Sequence, residues 1–413
     1  MGKEMTKFIQ NISWVSIGTL GGAIFFFITN LTAGRLLSPT EYGKYSLVIS
    51  IGQIFIIPMM LGISTASIKY ISSTKNKQKK SSFAKNTVFL SILLTFFTSV
   101  TYLVFYSQIS KLFRIDNKIF VFALIYSISL SFKYISEAII KGFQKFKLLS
   151  LLEFINSFSV FIFFFAYIFL FKISNFQGYI IPIIIGLLLY IIIFLNKNYQ
   201  VITPIKTNKN IIKTILNYGK YATLGAISGI AIGNIDKLVL NKYMSLADVG
   251  TYSIYLSSAT FIGNYILQIF VQIFFPTISS IKEKTKVIPK IFKLITISFF
   301  PIITTNICST SFILYLMGNK YEINLLYIFL FSLLGTLIIF SGILWWLIAS
   351  FGIKGIRFTS VVGIILGLTN IIMLSSLTKF FGLLGTTYAL IITNILIIYI
   401  AKLKITSYTN ENK

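Results

Sequence analysis

Residues Arg35 to Ser50 read "RLLSPTEYGKYSLVIS", and residues Lys242 to Ser257 read "KYMSLADVGTYSIYLS". The two stretches align without a gap at a shift of 207 residues, with Ser38, Gly43, Tyr45, Ser46 and Ser50 each facing its own residue type. The same shift sets "YISSTKNKQK" (Tyr70 to Lys79) against "TISSIKEKTK" (Thr277 to Lys286), and Gly18 and Gly22 against Gly225 and Gly229. These identities gather at loops and glycines. Chance similarity between hydrophobic segments does the reverse and matches interchangeable Ile, Leu and Phe. The chain therefore reads as two copies of one unit.

Hydrophobic residues make up 56% of the 413 and charged residues 11%, about half the charged share of a soluble domain. Apolar runs of 18 or more residues recur with short polar gaps, so lipid is the solvent for most of the chain. Twelve spans are predicted, within residues 12–33, 44–66, 86–107, 119–140, 148–171, 178–195, 217–240, 251–273, 294–317, 323–350, 358–377 and 381–401. Six spans separate a residue from its repeat partner, so both copies enter the membrane in the same orientation. That is a parallel repeat about the membrane normal, an arrangement in which transporters pass substrate between two bundles. The fold expected is an all-α integral membrane protein of twelve transmembrane helices in two six-helix lobes, 1–200 and 217–413, with a basic cytoplasmic linker at 201–216.

The net charge of +27 sits in loops. With the N-terminus placed in the cytoplasm, 26 of the 37 Lys and Arg fall on that side and 10 on the other, and Lys133 lies within a span. Positive residues accumulate on the cytoplasmic side, so both termini are expected there, in a multi-pass protein of the cell membrane. The run "KYISSTKNKQKK" reads as part of this orientation signal, with contact to anionic membrane lipids as the sharper alternative. No water-soluble basic face is present, which argues against nucleic acid. The chain has no histidine and one cysteine, Cys308, so neither a disulfide nor a catalytic or metal site is expected. The basic, then apolar N-terminus lacks a small-residue cleavage site and reads as a retained first span.

Gly18, Gly21 and Gly22, and Gly225, Gly229 and Gly233, are spaced for close helix contact. Pro58, Pro182 and Pro301 fall inside spans, where kinks are tolerated. Among the few acids, Glu137, Glu153 and Asp236 lie within or at the start of spans, where an ionised group is costly and usually faces a bundle interior or wet cavity. Lys133 and Glu137 are spaced to neutralise each other on one helix face. Asp236 and Lys237 are adjacent and point about 100° apart, so they do not cancel on one face. Asp236 and Glu137 are therefore candidates for coupling or gating, and Arg35, Lys133 and Lys237 for contact with a phosphate-bearing substrate in a basic hydrated path. A carboxylate there is able to couple transport to an H+ or Na+ gradient or to the membrane potential.

"RLLSPTEYGKYSLVIS" resembles the Arg-Leu-Leu-Gly-Pro-x-x-Tyr-Gly-x-Tyr signature of bacterial polysaccharide and oligosaccharide flippases, with Ser38 where the family commonly has Gly. "IDKLVLNKYMSLADVGTYS" is similar to their segment after the seventh span. The layout resembles the wider superfamily of multidrug and oligosaccharidyl-lipid exporters, with its MATE-like fold. The resemblance implies a carrier, not an enzyme, without a bound cofactor. It would move an undecaprenyl-pyrophosphate-linked oligosaccharide from the inner to the outer leaflet by alternating access, in O-antigen-type surface polysaccharide synthesis, beside a polysaccharide polymerase and glycosyltransferases. Arg35, Lys133 and Lys237 would meet the pyrophosphate or acidic sugars. A cation-coupled multidrug exporter of the same fold is the alternative, and the excess of Lys over acid in the spans argues against it. A membrane polymerase or ligase needs a larger outer-face domain than the short loops here provide.

Overall fold

Lipid offers a peptide group no hydrogen bond, so a chain immersed in it must satisfy its backbone internally, and the helix does so without a neighbour. The computed structural model describes residues 18, 21–171, 175–203, 207–270, 278, 284–318 and 320–410, and every regular element among them is helical. The chain divides into two compact units, Met1–Ile227 and Ser228–Lys413. The first holds α1 (residues 21–36), α2 (Pro39–Met60), α3 (Ile63–Ser73), α4 (Lys77–Val104), α5 (Tyr106–Phe113), α6 (Asn117–Gly142), α7 (Phe146–Phe171), α8 (Gln177–Ile202) and most of α9 (Lys209–Gly233). The second holds the end of α9, then α10 (Asp236–Tyr243), α11 (Leu246–Ile269), α12 (Lys284–Met317), α13 (Leu325–Ala349) and the helical stretch Ile353–Asn410.

That last stretch is two helices. A straight helix of its 58 residues would run about 87 Å, nearly three times the ~30 Å hydrocarbon layer. Gly382 breaks it at φ 56°, ψ −132°. Thr378 and Thr386 share a hydrogen bond at 2.9 Å, and Thr393 donates to Asn370 Oδ1 at 2.9 Å, so the arms α14 (353–381) and α15 (383–410) fold back as a hairpin.

The repeat read from the sequence recurs in the helix boundaries. α2 and α11 start at Pro39 and Leu246, and α7 and α14 at Phe146 and Ile353, each pair 207 residues apart. Ser38 caps α2 by accepting from the Glu41 amide (3.3 Å), and Ser245 caps α11 by accepting from the Asp248 amide (3.2 Å). The capping serine satisfies an amide that the first helical turn leaves orphaned, which explains why this position is the same in both copies.

One element departs from the symmetry. α1 is continuous over residues 21–36, whereas the matching residues 228–243 break between Gly233 and Asp236, and α9 and α10 meet at 41°. The expected span 217–240 is thus a broken one. The expected span 44–66 is interrupted too, at Leu61 and Gly62, both in the left-handed region. There the chain runs against α9, and a Cβ on Gly62 would lie 2.2 Å from the Gly219 carbonyl oxygen. Eight helices among the described residues are long and apolar enough to cross a membrane, or nine with the bent pair, the stretch divided at Gly382 being counted once. Parts of the expected spans 12–33 and 251–273 lie outside the described residues.

In the first unit α6 packs against α2, α3, α4 and α8, and in the second α13 packs against α11, α12 and the hairpin. Phe96, Phe97, Phe169 and Phe300 are exposed, as suits helices whose outer faces meet lipid rather than water. The glycines divide by repeat. A Cβ on Gly18 or Gly22 would collide with Ser150 or Ser157 of α7, so that stripe does bring backbones together. Gly229 and Gly233 have nothing within 4 Å of a Cβ. The packing expected of the second stripe is absent there.

Candidate functional site

In the first unit, α6 carries Lys133, Glu137 and Lys141 at intervals of four, which places them on one helical stripe. Lys133 Nζ lies 3.0 Å from Glu137 Oε1 and 3.1 Å from Glu153 Oε1 of α7. Lys141 Nζ lies 2.9 Å from Glu137 Oε2. Side-chain exposure is 13% at Lys133 and Glu137 and rises to 37% at Lys141, so the network reaches from the interior toward an open end. Two ammonium groups meet two carboxylates, and the network is neutral. A buried charge left without a partner is expensive, so this balance is a condition for holding any of the four here. Tyr190 of α8 closes one side, its ring centroid 5.4 Å from Lys133 Nζ, its side chain fully buried and its hydroxyl without a hydrogen bond.

At the matching positions the second repeat has no such network. The positions matching Lys133, Glu137 and Lys141 are Phe340, Leu344 and Ile348, all buried in apolar clusters. A buried charged group of this repeat is Asp236, the first residue of α10 and 1% exposed. Asp236 Oδ2 accepts the hydroxyl of Tyr252 from α11. Oδ1 is buried and makes no hydrogen bond of normal geometry, although the amides of Asp236 and Lys237 lie nearby. A carboxylate at the start of a helix gains from the partial positive charge of the free amides there. The break that creates this helix start leaves the Ala231 carbonyl without its usual partner, and Asn370 Nδ2 of α14 donates to it at 3.2 Å.

The structure thus brings Lys133 and Glu137 together as their spacing suggests, and adds Glu153 and Lys141. Arg35 is exposed near the end of α1 and Lys237 is partly buried beside Asp236, and neither forms an ion pair among the described residues. Three participants escape a reading of the sequence by composition: Lys141, Tyr190 and Tyr252. Lys141 was visible as the next i, i+4 step after Glu137. Tyr252 is one of the few identities between the repeats. Nothing in the sequence distinguishes Tyr190 from the other 22 tyrosines.

A family model described as polysaccharide biosynthesis protein matches residues 8–282. An uncharacterized membrane protein of Methanocaldococcus jannaschii is 21% identical over 299 residues, which are 67% of this chain. The chain spans only 59% of the length of that relative. Among solved structures, an inward-facing multidrug resistance MATE family transporter of the MOP superfamily superposes with a TM-score of 0.69 at 14% identity, over 96% of this chain and 98% of that one. An outward-facing transporter of that family gives 0.65 at 15% identity, over 97% and 96%. A MOP superfamily transporter from Pyrococcus furiosus Vc1, for which a reversed polarity of the binding pocket is reported to suggest a different function, gives 0.61 at 15% identity, over 97% and 95%. The chain shares their fold.

Proposed function

This chain belongs to the polysaccharide biosynthesis protein family, and from that premise we propose that it is a flippase, a membrane transporter for lipid-linked oligosaccharides. It carries an undecaprenyl-pyrophosphate-linked unit from the inner to the outer leaflet of a bacterial cytoplasmic membrane by alternating access, supplying a surface-polysaccharide polymerase. The observation that carries this reading is the coincidence of two independent likenesses: a polysaccharide-synthesis family over residues 8–282 and a transporter fold over 96% of the chain.

In this reading twelve spans form two six-helix lobes with both termini in the cytoplasm. Arg35 and Lys237 are available cations for the pyrophosphate. Lys133 takes part by exchanging a carboxylate oxygen for a phosphate oxygen, which keeps it paired throughout. Glu137 responds to that exchange, and Asp236, held by Tyr252, couples movement to an H+ or Na+ gradient or to the membrane potential.

The second reading is cation-coupled drug export, favoured by the multidrug resistance transporters among the structural neighbours. Sealed proteoliposomes separate the two. Protein-dependent protection of an undecaprenyl-pyrophosphate oligosaccharide from a membrane-impermeant probe supports the flippase. Expulsion of a cationic dye with no lipid exchange moves the assignment to drug export.

A further inference from the structure

The two carboxylates of the α6 network are held differently. Glu137 gives one oxygen to Lys133 (3.0 Å) and the other to Lys141 (2.9 Å), both on its own helix. Glu153 of α7 sets both oxygens on a single ammonium, Oε1 and Oε2 each lying 3.1 Å from Lys133 Nζ. Side-chain exposure is 27% at Glu153 and 13% at Glu137. Removing Glu137 would strand two lysines. Removing Glu153 leaves Lys133 still paired with Glu137, so Glu153 is the partner that the network is able to release.

Release changes the charge. Lys133, Lys141 and Glu137 sum to one positive charge, and Lys133 has then given up a ligand that met it with two oxygens. A group that restores neutrality carries one negative charge and offers a pair of oxygens on one atom, as a phosphate or a carboxylate does. A second donor stands beside it. Tyr190 of α8 is fully buried and its ring centroid is 5.4 Å from Lys133 Nζ. Its hydroxyl lies within the fields of Glu137 and Glu153 and hydrogen-bonds neither. Buried hydroxyls are normally bonded, so this one is a donor held in reserve.

We propose that Glu153 is an internal stand-in for the acidic group of the substrate. An oxyanion of the lipid-linked oligosaccharide, from its pyrophosphate or from an acidic sugar, takes the place of Glu153 on Lys133 and accepts from Tyr190. Glu153 takes up one proton from water as it leaves, so the charges sum to zero before the exchange and after it. This deepens the flippase reading and rests on it, adding which carboxylate yields and that the exchange carries a proton. The charged groups whose fields reach Glu153 are Lys133 and Glu137, and Tyr134 of α6 and Tyr190 of α8 stand beside it. α7 adds only Lys147, six residues away, and α1, which meets α7 at Gly22, holds no charge before Arg35. Uptake of one proton makes binding tighter as pH falls, by about tenfold per pH unit.

The test measures equilibrium binding of an undecaprenyl-pyrophosphate-linked neutral hexose to the purified full chain in phosphatidylcholine nanodiscs, as pH is varied around neutrality. Each phosphate of this probe is esterified or bridged on both sides, so its charge is constant over that range. Parent affinity should rise about tenfold for each pH unit lowered, and an indicator dye in weak buffer should report one proton taken up per lipid bound. Glu153→Gln, whose amide oxygen still accepts from Lys133, should bind with no pH slope. Tyr190→Phe should weaken binding roughly tenfold and keep the slope. Glu41→Gln, which removes another lysine-paired carboxylate of the same unit, should leave affinity and slope unchanged. A slope with the neutral hexose names the pyrophosphate as the occupant, and a slope only with glucuronic acid in its place names the sugar carboxylate. Binding in the parent with neither slope nor proton uptake overturns the proposal and leaves the flippase reading standing. A slope that survives in Glu153→Gln also overturns it, moving the proton to another acid such as Asp236. Absence of binding by either lipid overturns both.

Discussion

Tyr45 and Tyr252 hold the same position in their repeats, yet Tyr252 donates to a buried carboxylate and Tyr45 packs its ring, tilted, against another tyrosine. The Tyr45 ring lies 4.3 Å from that of Tyr179, centroid to centroid, and the residue matching Asp236 in the first repeat is Thr29, which hydrogen-bonds the Phe25 carbonyl of its own helix. At this position the scaffold therefore carries a carboxylate in one copy and a hydroxyl in the other. Tyr252→Phe should destabilise the protein by about 1–3 kcal/mol, because it strips the donor from a buried acid that has little else to bond. Tyr45→Phe leaves no charge behind and should cost less. Unfolding midpoints of the two variants in one detergent test the difference, and equal losses would mean that Asp236 draws little from Tyr252.

The ion network of α6 invites a graft from the other repeat. Lys133→Met alone removes the cation shared by two carboxylates and should cost about 3–5 kcal/mol, the range for breaking one side of a buried pair. Replacing the network as a set, with Lys133→Phe, Glu137→Leu, Lys141→Ile and Glu153→Ser, installs the residues of the matching positions Phe340, Leu344, Ile348 and Ser360. An apolar set of this kind is tolerated where a half-broken ion network is not. The graft should fold at near-parent yield and lose oligosaccharide flipping. A graft that folds and flips as the parent does would reduce the four charges to a structural role.

Glycine substitutions should follow the backbone contacts rather than the sequence pattern. Gly62→Ala places a methyl 2.2 Å from the Gly219 carbonyl in a left-handed conformation, and overpacking together with that strain should cost about 2–4 kcal/mol. Gly229→Ala meets nothing within 4 Å and should be neutral, or stabilising by up to about 1 kcal/mol through helix propensity. Membrane expression and unfolding midpoints check both. A loss at Gly229→Ala comparable to that at Gly62→Ala would show that α9 must bend there.

The sequence revealed most where chemistry repeats. Ser38 and Ser245, the glycines and the loop lysines stood out against a background of exchangeable Ile, Leu and Phe, so the duplication and the helix starts were legible. Apolar runs located helices but not their interruptions. The breaks at Gly62, between Gly233 and Asp236, and at Gly382 depend on which backbone passes close by, and hydropathy does not record that. At the candidate site, Lys133 and Glu137 were legible through spacing along one helix. Glu153 and Tyr190 joined them from α7 and α8, and contacts between helices leave no period in the chain. The glycine stripes show the opposite failure. An interval of four occurs in both repeats, but Gly18 and Gly22 meet α7 whereas Gly229 and Gly233 have nothing within 4 Å of a Cβ.

Asp236 provides the most direct test of coupling. In Asp236→Asn the side-chain oxygen still accepts from Tyr252, and a neutral amide is cheaper to bury than a carboxylate, so the variant should reach the membrane at a level near that of the parent. What it loses is the ability to bind a proton or a cation. In proteoliposomes with matched ion concentrations on both sides, leaflet exchange of the lipid-linked oligosaccharide should persist. With an imposed H+ or Na+ gradient, parent exchange should accelerate and the variant should show none of that acceleration. Tyr252→Phe keeps the charge but loosens its position, so it should lower the acceleration without abolishing it. Parent-like acceleration in Asp236→Asn would remove Asp236 from coupling and leave the α6 network as the remaining titratable candidate. Loss of exchange even without a gradient would place Asp236 in the transport path itself.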